Sequence, residues 1–266
     1  MTNIVENIMG NEPLFGCCTL AFMPLRASAS HRSEMVSQLL FGESYRVLAA
    51  TDEWLEVETG FDRYRGFIAA NQHTPLSGTA HSQLCERPSQ AAPAPVRLLC
   101  HGTGHPITLP TSATLPGCEN GTIHIGDEAF SLAEPLPVLS LAEILQSYLG
   151  TPYLWGGRTP WGIDCSGFTQ AIYKTQGIAL PRDASQQQLL GDEIPLEKAG
   201  SGDLAFFRNA DGRVTHVGFL LDNRQILHCS GQVRIDGIDG KGIFRKGGHT
   251  YTHLLHSIKH ITNLNK

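Results

Sequence analysis

Along this chain the apolar positions change period part-way. In residues 13–74 they fall in short runs: Trp54-Leu-Glu-Val-Glu alternates apolar with polar, and Tyr45-Arg-Val-Leu-Ala-Ala alternates more loosely. Asp62-Arg-Tyr-Arg-Gly-Phe-Ile reads as a turn entering a last strand. Period two marks half-buried strands, and the length suits a small β-barrel. Past the Pro/Ala joint SQAAPAPV, the runs VRLLCHGTGHPITLP and GTIHIGDEAFSL predict more short strands, read as a second, diverged barrel.

From Leu139 the spacing becomes helical. Leu139–Leu149 predicts a helix before Gly150-Thr-Pro. Phe168, Ala171, Ile172 and Thr175 share one helical face, with Asp164 placed to cap its start and Gly177 to end it. Asp183 caps a second short helix, Ala184–Leu190. Strands are expected over Asp203–Arg208, Val214–Leu221 and Gln225–Cys229, with a hairpin turn at Asp222-Asn223, and another near Tyr251–Ile258. Helices first and strands after give an α+β unit with helices packed on an antiparallel sheet. The expected boundaries are 1–74, 75–138 and 139–266.

Composition narrows the classes. At 266 residues the chain can bury a sizeable core in two or three units. A net charge of −5 without a basic run excludes a nucleic-acid binder. No apolar stretch is long enough to span a bilayer. MTNIVENIMGNEP lacks the basic and apolar regions of a signal peptide, so a cytoplasmic location is expected. Seven cysteines, two of them adjacent, suit reduced thiols better than a disulfide framework.

The candidate chemistry centres on Cys165. Following Asp164, it falls at the first turn of its helix, where unpaired N–H groups and the dipole favour a thiolate. The glycines before it allow close backbone approach. On Val214–Leu221, period two puts Val214, His216, Gly218 and Leu220 on one face, and Ile226 and His228 share a face on the next strand. If that face packs on the start of the cysteine helix, a Cys–His–His line results. His216 then acts as the base, and His228 holds its tautomer. Patterning alone is weak, because twelve histidines and seven cysteines align by chance. A zinc site from Cys165, His216 and His228 is the chemical rival, but it needs a fourth ligand and leaves the glycine-rich run unexplained. No metal or cofactor is expected. His101, His105 and His124 form no recognisable metal site, and His249, His253, His256 and His260 are assigned no chemistry. Cys229 is expected in the core, Trp155 and Trp161 in loop packing.

Two resemblances sharpen this picture. Gly42-Glu43, Val47, Trp54, Val57, Asp62, Tyr64, Gly66, Phe67 and Ile68 resemble the bacterial SH3 module. TPYLWGG, DCSGF, LPRDASQQ, GDLAFF, THVGFLL and ILHCSG, in order over about residues 140–260, resemble the NlpC/P60 cysteine peptidases. That resemblance implies a papain-like α+β catalytic domain behind two SH3-like barrels. It also implies hydrolysis of the γ-D-glutamyl–L-diamino acid bond (meso-diaminopimelate or L-Lys) in murein peptides with a free N-terminal L-Ala. It makes Cys165 the nucleophile, His216 the base and His228 the third polar member, and brings the Tyr153 hydroxyl to the oxyanion. Asp164 and Ser166 match cleft residues. Asp183 and Tyr64, with Glu34 beside them, match the pocket for the free α-amine. Where many relatives have serine after this aspartate, the chain has Ala184, so one hydrogen bond there is missing or comes from Ser185. A monomer in cytosolic cell-wall peptide recycling, with no nucleic-acid or membrane partner, is the expectation. Two readings compete: a non-catalytic wall-binding protein with a relict peptidase domain, and a thiol amidase or acyltransferase acting on another amide.

Overall fold

A computed structural model describes residues 14–245 and 250–261; Met1–Pro13 and His249 lie outside the described residues. The chain divides into two compact units, Met1–Ile144 and Leu145–Lys266.

The first unit is built on two main antiparallel sheets. Seven strands between Phe15 and Leu76 form one, and four between Val96 and Leu132 form the other. Alternation in Trp54–Thr59 buries Leu55 and Val57 with Met23, Leu25, Leu39 and Ile68. A second core joins Phe41 of the first sheet to Leu98, Ile123 and Phe130 of the second, with the Phe41 and Phe130 rings edge-on at 5.1 Å. A helix at Gly78–Glu86, capped by Ser77, was not expected from the sequence; its face is weakly patterned and only Leu84 is buried. Part of the Pro/Ala joint is also a strand, Ser89–Ala91.

The helix Leu141–Ser147, within which the first unit ends and the second begins, leads into the glycine-rich loop, and the cysteine helix follows at Cys165–Thr175. Asp164 caps it as expected, accepting from the Gly167 N–H at 2.7 Å. Gly167 has a steric reason to be glycine: a Cβ there would stand 2.2 Å from the Gly157 carbonyl oxygen. The loop thus lies directly on the helix's first turn. Gly177 follows the helix at φ +78°, a conformation that favours glycine.

The sheet is more than the expected open one. Its strands run Asp192–Glu193, Tyr251–His260, Leu204–Arg208, Val214–Leu220, Gln225–Ser230, Gln232–Asp239 and Gly242–Phe244. Tyr251–His260 pairs with both Leu204–Arg208 and Gly242–Phe244, which closes six strands into a ring. Closure removes unpaired edges and creates an interior, filled here by Ala205, Phe207, Leu220, Ile226, Ile238, Ile243 and Ile258. Asp192–Glu193, Gln232–Asp239 and Gly242–Phe244 are the strands of this sheet missed by the sequence reading. Among the described residues no helix is long and apolar enough to cross a membrane.

Candidate active site

The cysteine helix meets the barrel at its histidine strand. The backbone N–H groups of Val217 and Ser166 lie near enough to the Cys165 sulfur to favour its thiolate form. Val217 is the residue after His216. The expected face-to-face packing is not what brings the two together. Phe219 packs on Tyr173 of the helix, and the Cys229 thiol donates to the Ile163 carbonyl just before Cys165. Those odd-numbered positions face the helix. His216 stands opposite Phe207 and, with Ile226 and His228, belongs to the barrel's other face. The sulfur therefore reaches the strand through its backbone.

The two imidazoles do become neighbours. Gly218 stands directly across from His228, and a Cβ at Gly218 would lie 2.6 Å from Ile226 and 2.8 Å from the His228 Cβ. Only glycine lets His228 close on His216, one residue pair away. The His216 Nε2 and His228 Nδ1 atoms are 2.9 Å apart, and the His228 Nε2 lies 3.1 Å from Asp236 Oδ2. The chain of bonds fixes the tautomers. Asp236 is an acceptor, so the His228 Nε2–H donates to it and Nδ1 is left to accept from the His216 Nε2–H. His216 is then left with a lone pair on Nδ1, the ring nitrogen nearest its own backbone. The neighbouring Val217 N–H is one of the two that favour the thiolate form of Cys165.

Asp236 is the functional candidate the sequence reading missed. It sits on the unexpected strand Gln232–Asp239 and also accepts from Arg234 Nε at 2.8 Å. No short motif marks it; an additional strand after ILHCSG, alternating from Val233, was the available signal.

The electrostatics reverse one expectation. Burial, then the adjacent Asp164 carboxylate, push the Cys165 thiol up to about 12, outweighing the two backbone N–H groups and Arg182. Burial first, then His253, His228 and Arg234, depress His216 well below its ordinary value. The peptide-free pair is accordingly a neutral thiol and a neutral imidazole; the helix terminus does not win against desolvation. Alkylation of Cys165 by iodoacetamide should accelerate continuously as pH rises from about 6 to about 9, without the flat region that a thiolate–imidazolium pair produces. A plateau across that range would refute the neutral pair.

Asp164 and Ser166, read as cleft residues, lie in a buried network. The guanidinium of Arg182, 1% exposed, donates to Asp164 Oδ1 and Ser166 Oγ, both at 3.0 Å, and also to Asp164 Oδ2. The Gly156 N–H donates to Asp164 Oδ2 at 2.9 Å. Asp164 therefore ties together the loop, the helix start and Arg182, a third residue the sequence reading passed over although it stands in LPRDASQQ. Tyr153 lies beside this centre at 36% exposure; burial and the charges of Cys165 and Asp164 push its phenol up, so the hydroxyl stays a donor. Asp183 forms a capping box with Gln186 at the helix Ala184–Gln187, and Ser185 is exposed there. Trp155 and Trp161 are 58% and 48% exposed, more open than loop packing demands. Tyr64 and Glu34 belong to the first unit. Tyr64 packs partly against its core while its N–H donates to Thr59 Oγ1 at 2.9 Å; Glu34 is exposed, and its carbonyl accepts from the Ala27 N–H.

His216, His228 and His253 each hold a ring nitrogen within 4.8 Å of the others, the group among the described residues that could hold a metal ion. The His216 and His253 rings are nearly parallel, with 23° between planes. Their in-plane lone pairs run side by side, so a shared ion would require one ring to turn. All seven cysteines are free thiols.

Residues 150–247 match the NlpC/P60 family, and residues 25–72 match the bacterial dipeptidyl-peptidase Sh3 domain. The chain is 30% identical over 218 residues to the gamma-D-glutamyl-L-lysine dipeptidyl-peptidase of Bacillus subtilis (strain 168), covering 72% of this chain and 71% of that one. It is 32% identical to a protein of the same name from Bacillus cereus (strain ATCC 10987), over 46% of this chain but 38% of the relative. It is 38% identical to a probable endopeptidase NlpC of Escherichia coli (strain K12), over 37% of this chain and 66% of that one. Among solved structures, an NlpC/P60 family protein from Bacillus cereus ATCC 10987 shares the fold at TM-score 0.73 and 18% identity, over 92% of this chain and 99% of that one.

Proposed function

Because this chain belongs to the NlpC/P60 family and is a cysteine peptidase, we propose that it hydrolyses the γ-D-glutamyl bond to an L-diamino acid in L-Ala-γ-D-Glu-L-diamino acid peptides. The observation that carries the reading is the hold on one sulfur. Cys165 sits at a helix start near the Val217 N–H, and the residue before Val217 is a histidine backed by His228 and Asp236. The names of the two Bacillus relatives support the bond class.

In this mechanism the Cys165 thiol passes its proton to His216 Nδ1 as the sulfur attacks the γ-carbonyl of D-glutamate. The Cys165 N–H and the Tyr153 hydroxyl receive the oxyanion. His216 then protonates the departing amine of the diamino acid, the γ-glutamyl thioester remains on Cys165, and water releases it. The Asp183 carboxylate receives the alanine ammonium. Asp164 and Ser166 shape the cleft through Arg182 rather than through direct bonds. A carboxylate set against an ammonium rewards a free N-terminus and is left unpaired when that end is blocked. The enzyme therefore trims released peptides and spares cross-linked wall, a cytosolic recycling role for a monomer, which cell fractionation and size-exclusion chromatography would check.

Incubation with L-Ala-γ-D-Glu-meso-diaminopimelate or its L-Lys counterpart should release L-Ala-D-Glu; no product from wild-type protein with either would sink the assignment. Acetylating the alanine amine should lower kcat/KM by about 100-fold or more, the scale of one unpaired buried charge. Equal turnover of free and acetylated peptide would remove the Asp183 role while leaving the nucleophile untouched.

A further inference from the structure

His253 has no part in the mechanism above, yet it lies on the base. It belongs to the strand Tyr251–His260, across from Ile243. Its ring stacks on that of His216, with centroids 4.2 Å apart and 23° between planes. His228 meets the same ring nearly at right angles, 5.1 Å away at 85°. Phe207 stands on the strand pair beside it, 5.8 Å from His216 and 6.0 Å from His253. The His216–His228 hydrogen bond fixes one edge nitrogen but leaves the ring able to tilt about that bond. A second ring laid on its face removes the tilt. His253 Nδ1 is itself within 3.0 Å of the Thr252 hydroxyl, which steadies the clamp.

We propose that His253 is a positioning residue for the general base: it fixes the plane of the His216 imidazole and, while neutral, lies face-on to the positive charge that ring takes from the thiol. The role rests on the reading of His216 as base. A neutral aromatic face tolerates a cation, whereas a protonated one repels it.

The titratable and charged groups around His253 are His216, His228, Arg234 and Asp236; Ile243 and Phe207, from the two strands paired with its own, carry no charge. Burial and Arg234 lower its affinity for a proton and Asp236 partly restores it. His216 is depressed further, chiefly by burial. With the rings stacked 4.2 Å apart, a proton on His253 opposes the His216 imidazolium needed in the reaction, so the charge state of His253 sets the acid limb of activity.

The test is kcat and KM on the free-amine tripeptide across pH for wild type, His253→Phe, His253→Ala and His216→Ala. Phenylalanine keeps a ring on the stack and removes the titratable group. His253→Phe should keep kcat near neutrality within about threefold of wild type and move the acid limb to lower pH. His253→Ala should lower kcat roughly tenfold with KM unchanged, as expected for a misoriented base. A merely structural histidine would leave the limb where it was in both variants that fold, as judged by thermal unfolding. The clamp is overturned if His216→Ala is inactive while both His253 variants keep the wild-type kcat and limb. Full activity of His216→Ala instead overturns the base itself, and this role with it.

Discussion

Cys165→Ala should abolish release of L-Ala-D-Glu, a loss of about 10³-fold or more in kcat, and His216→Ala should match it. The double variant should lose no more than either single one, because a nucleophile and its base act as a unit. The structure adds a gradient beyond these two. His228 touches His216 directly, and Asp236 acts one bond further away. His228→Ala should therefore cost roughly 100-fold, at the low end of a general base's contribution, and Asp236→Asn roughly tenfold, since asparagine can still accept from His228 Nε2. The neutral thiol and imidazole of the resting site fit this order. Proton transfer happens during attack, so the base must be held ready, and each link in the chain holds the one before it. Rates from a defined tripeptide, with folding checked by circular dichroism, decide the matter. Substantial hydrolysis by Cys165→Ala would remove the thiol from the reaction. A loss in Asp236→Asn as deep as in His216→Ala would mean that the amide donates to His228 Nε2 and reverses the tautomers along the chain.

Local signals made much of this legible in advance. The cap at Asp164 and the spacing of Phe168, Ala171 and Ile172 are properties of neighbouring residues, and the helix begins at Cys165 as they imply. The hairpin carrying His216 and His228 was equally local, with Gly218 across from His228. What escaped was non-local. Asp236 is the exception, since its strand hairpins onto Gln225–Ser230 around Gly231, a local pairing that was overlooked. His253 reaches His216 because Leu204–Arg208 pairs with both their strands, Val214–Leu220 and the distant Tyr251–His260. The thiol's resting state was misjudged for a related reason: a helix start is visible in a sequence, but the burial that outweighs its dipole comes from the barrel packed against it. Arg182 was masked by the more suggestive Asp183 beside it.

Arg182→Ala should be among the most damaging substitutions away from the reacting atoms. Its guanidinium is almost wholly buried, with two hydrogen bonds at 3.0 Å and an ion pair to Asp164. Removing it leaves the Asp164 carboxylate in the interior with the Gly156 and Gly167 N–H groups and the Ser166 hydroxyl as its donors and no opposite charge. Breaking one side of a buried pair costs about 3–5 kcal/mol, a large share of a typical domain's stability of about 5–15 kcal/mol. Lysine should not rescue it, since an ammonium cannot bridge both Asp164 oxygens and Ser166 at once. The informative variant is the double replacement Asp164→Asn with Arg182→Met. Asparagine still caps the helix and no charge is left buried, so this pair should lose less stability than Arg182→Ala alone. Urea unfolding midpoints for the three proteins measure the order. If Arg182→Ala costs under about 1 kcal/mol, the network is not what fixes the start of the cysteine helix. If the double variant is the least stable of the three, the ion pair contributes net stability beyond cancelling its own desolvation. The cleft would then be held by charge, and because the pair is buried, activity should change little with added salt where the fold survives.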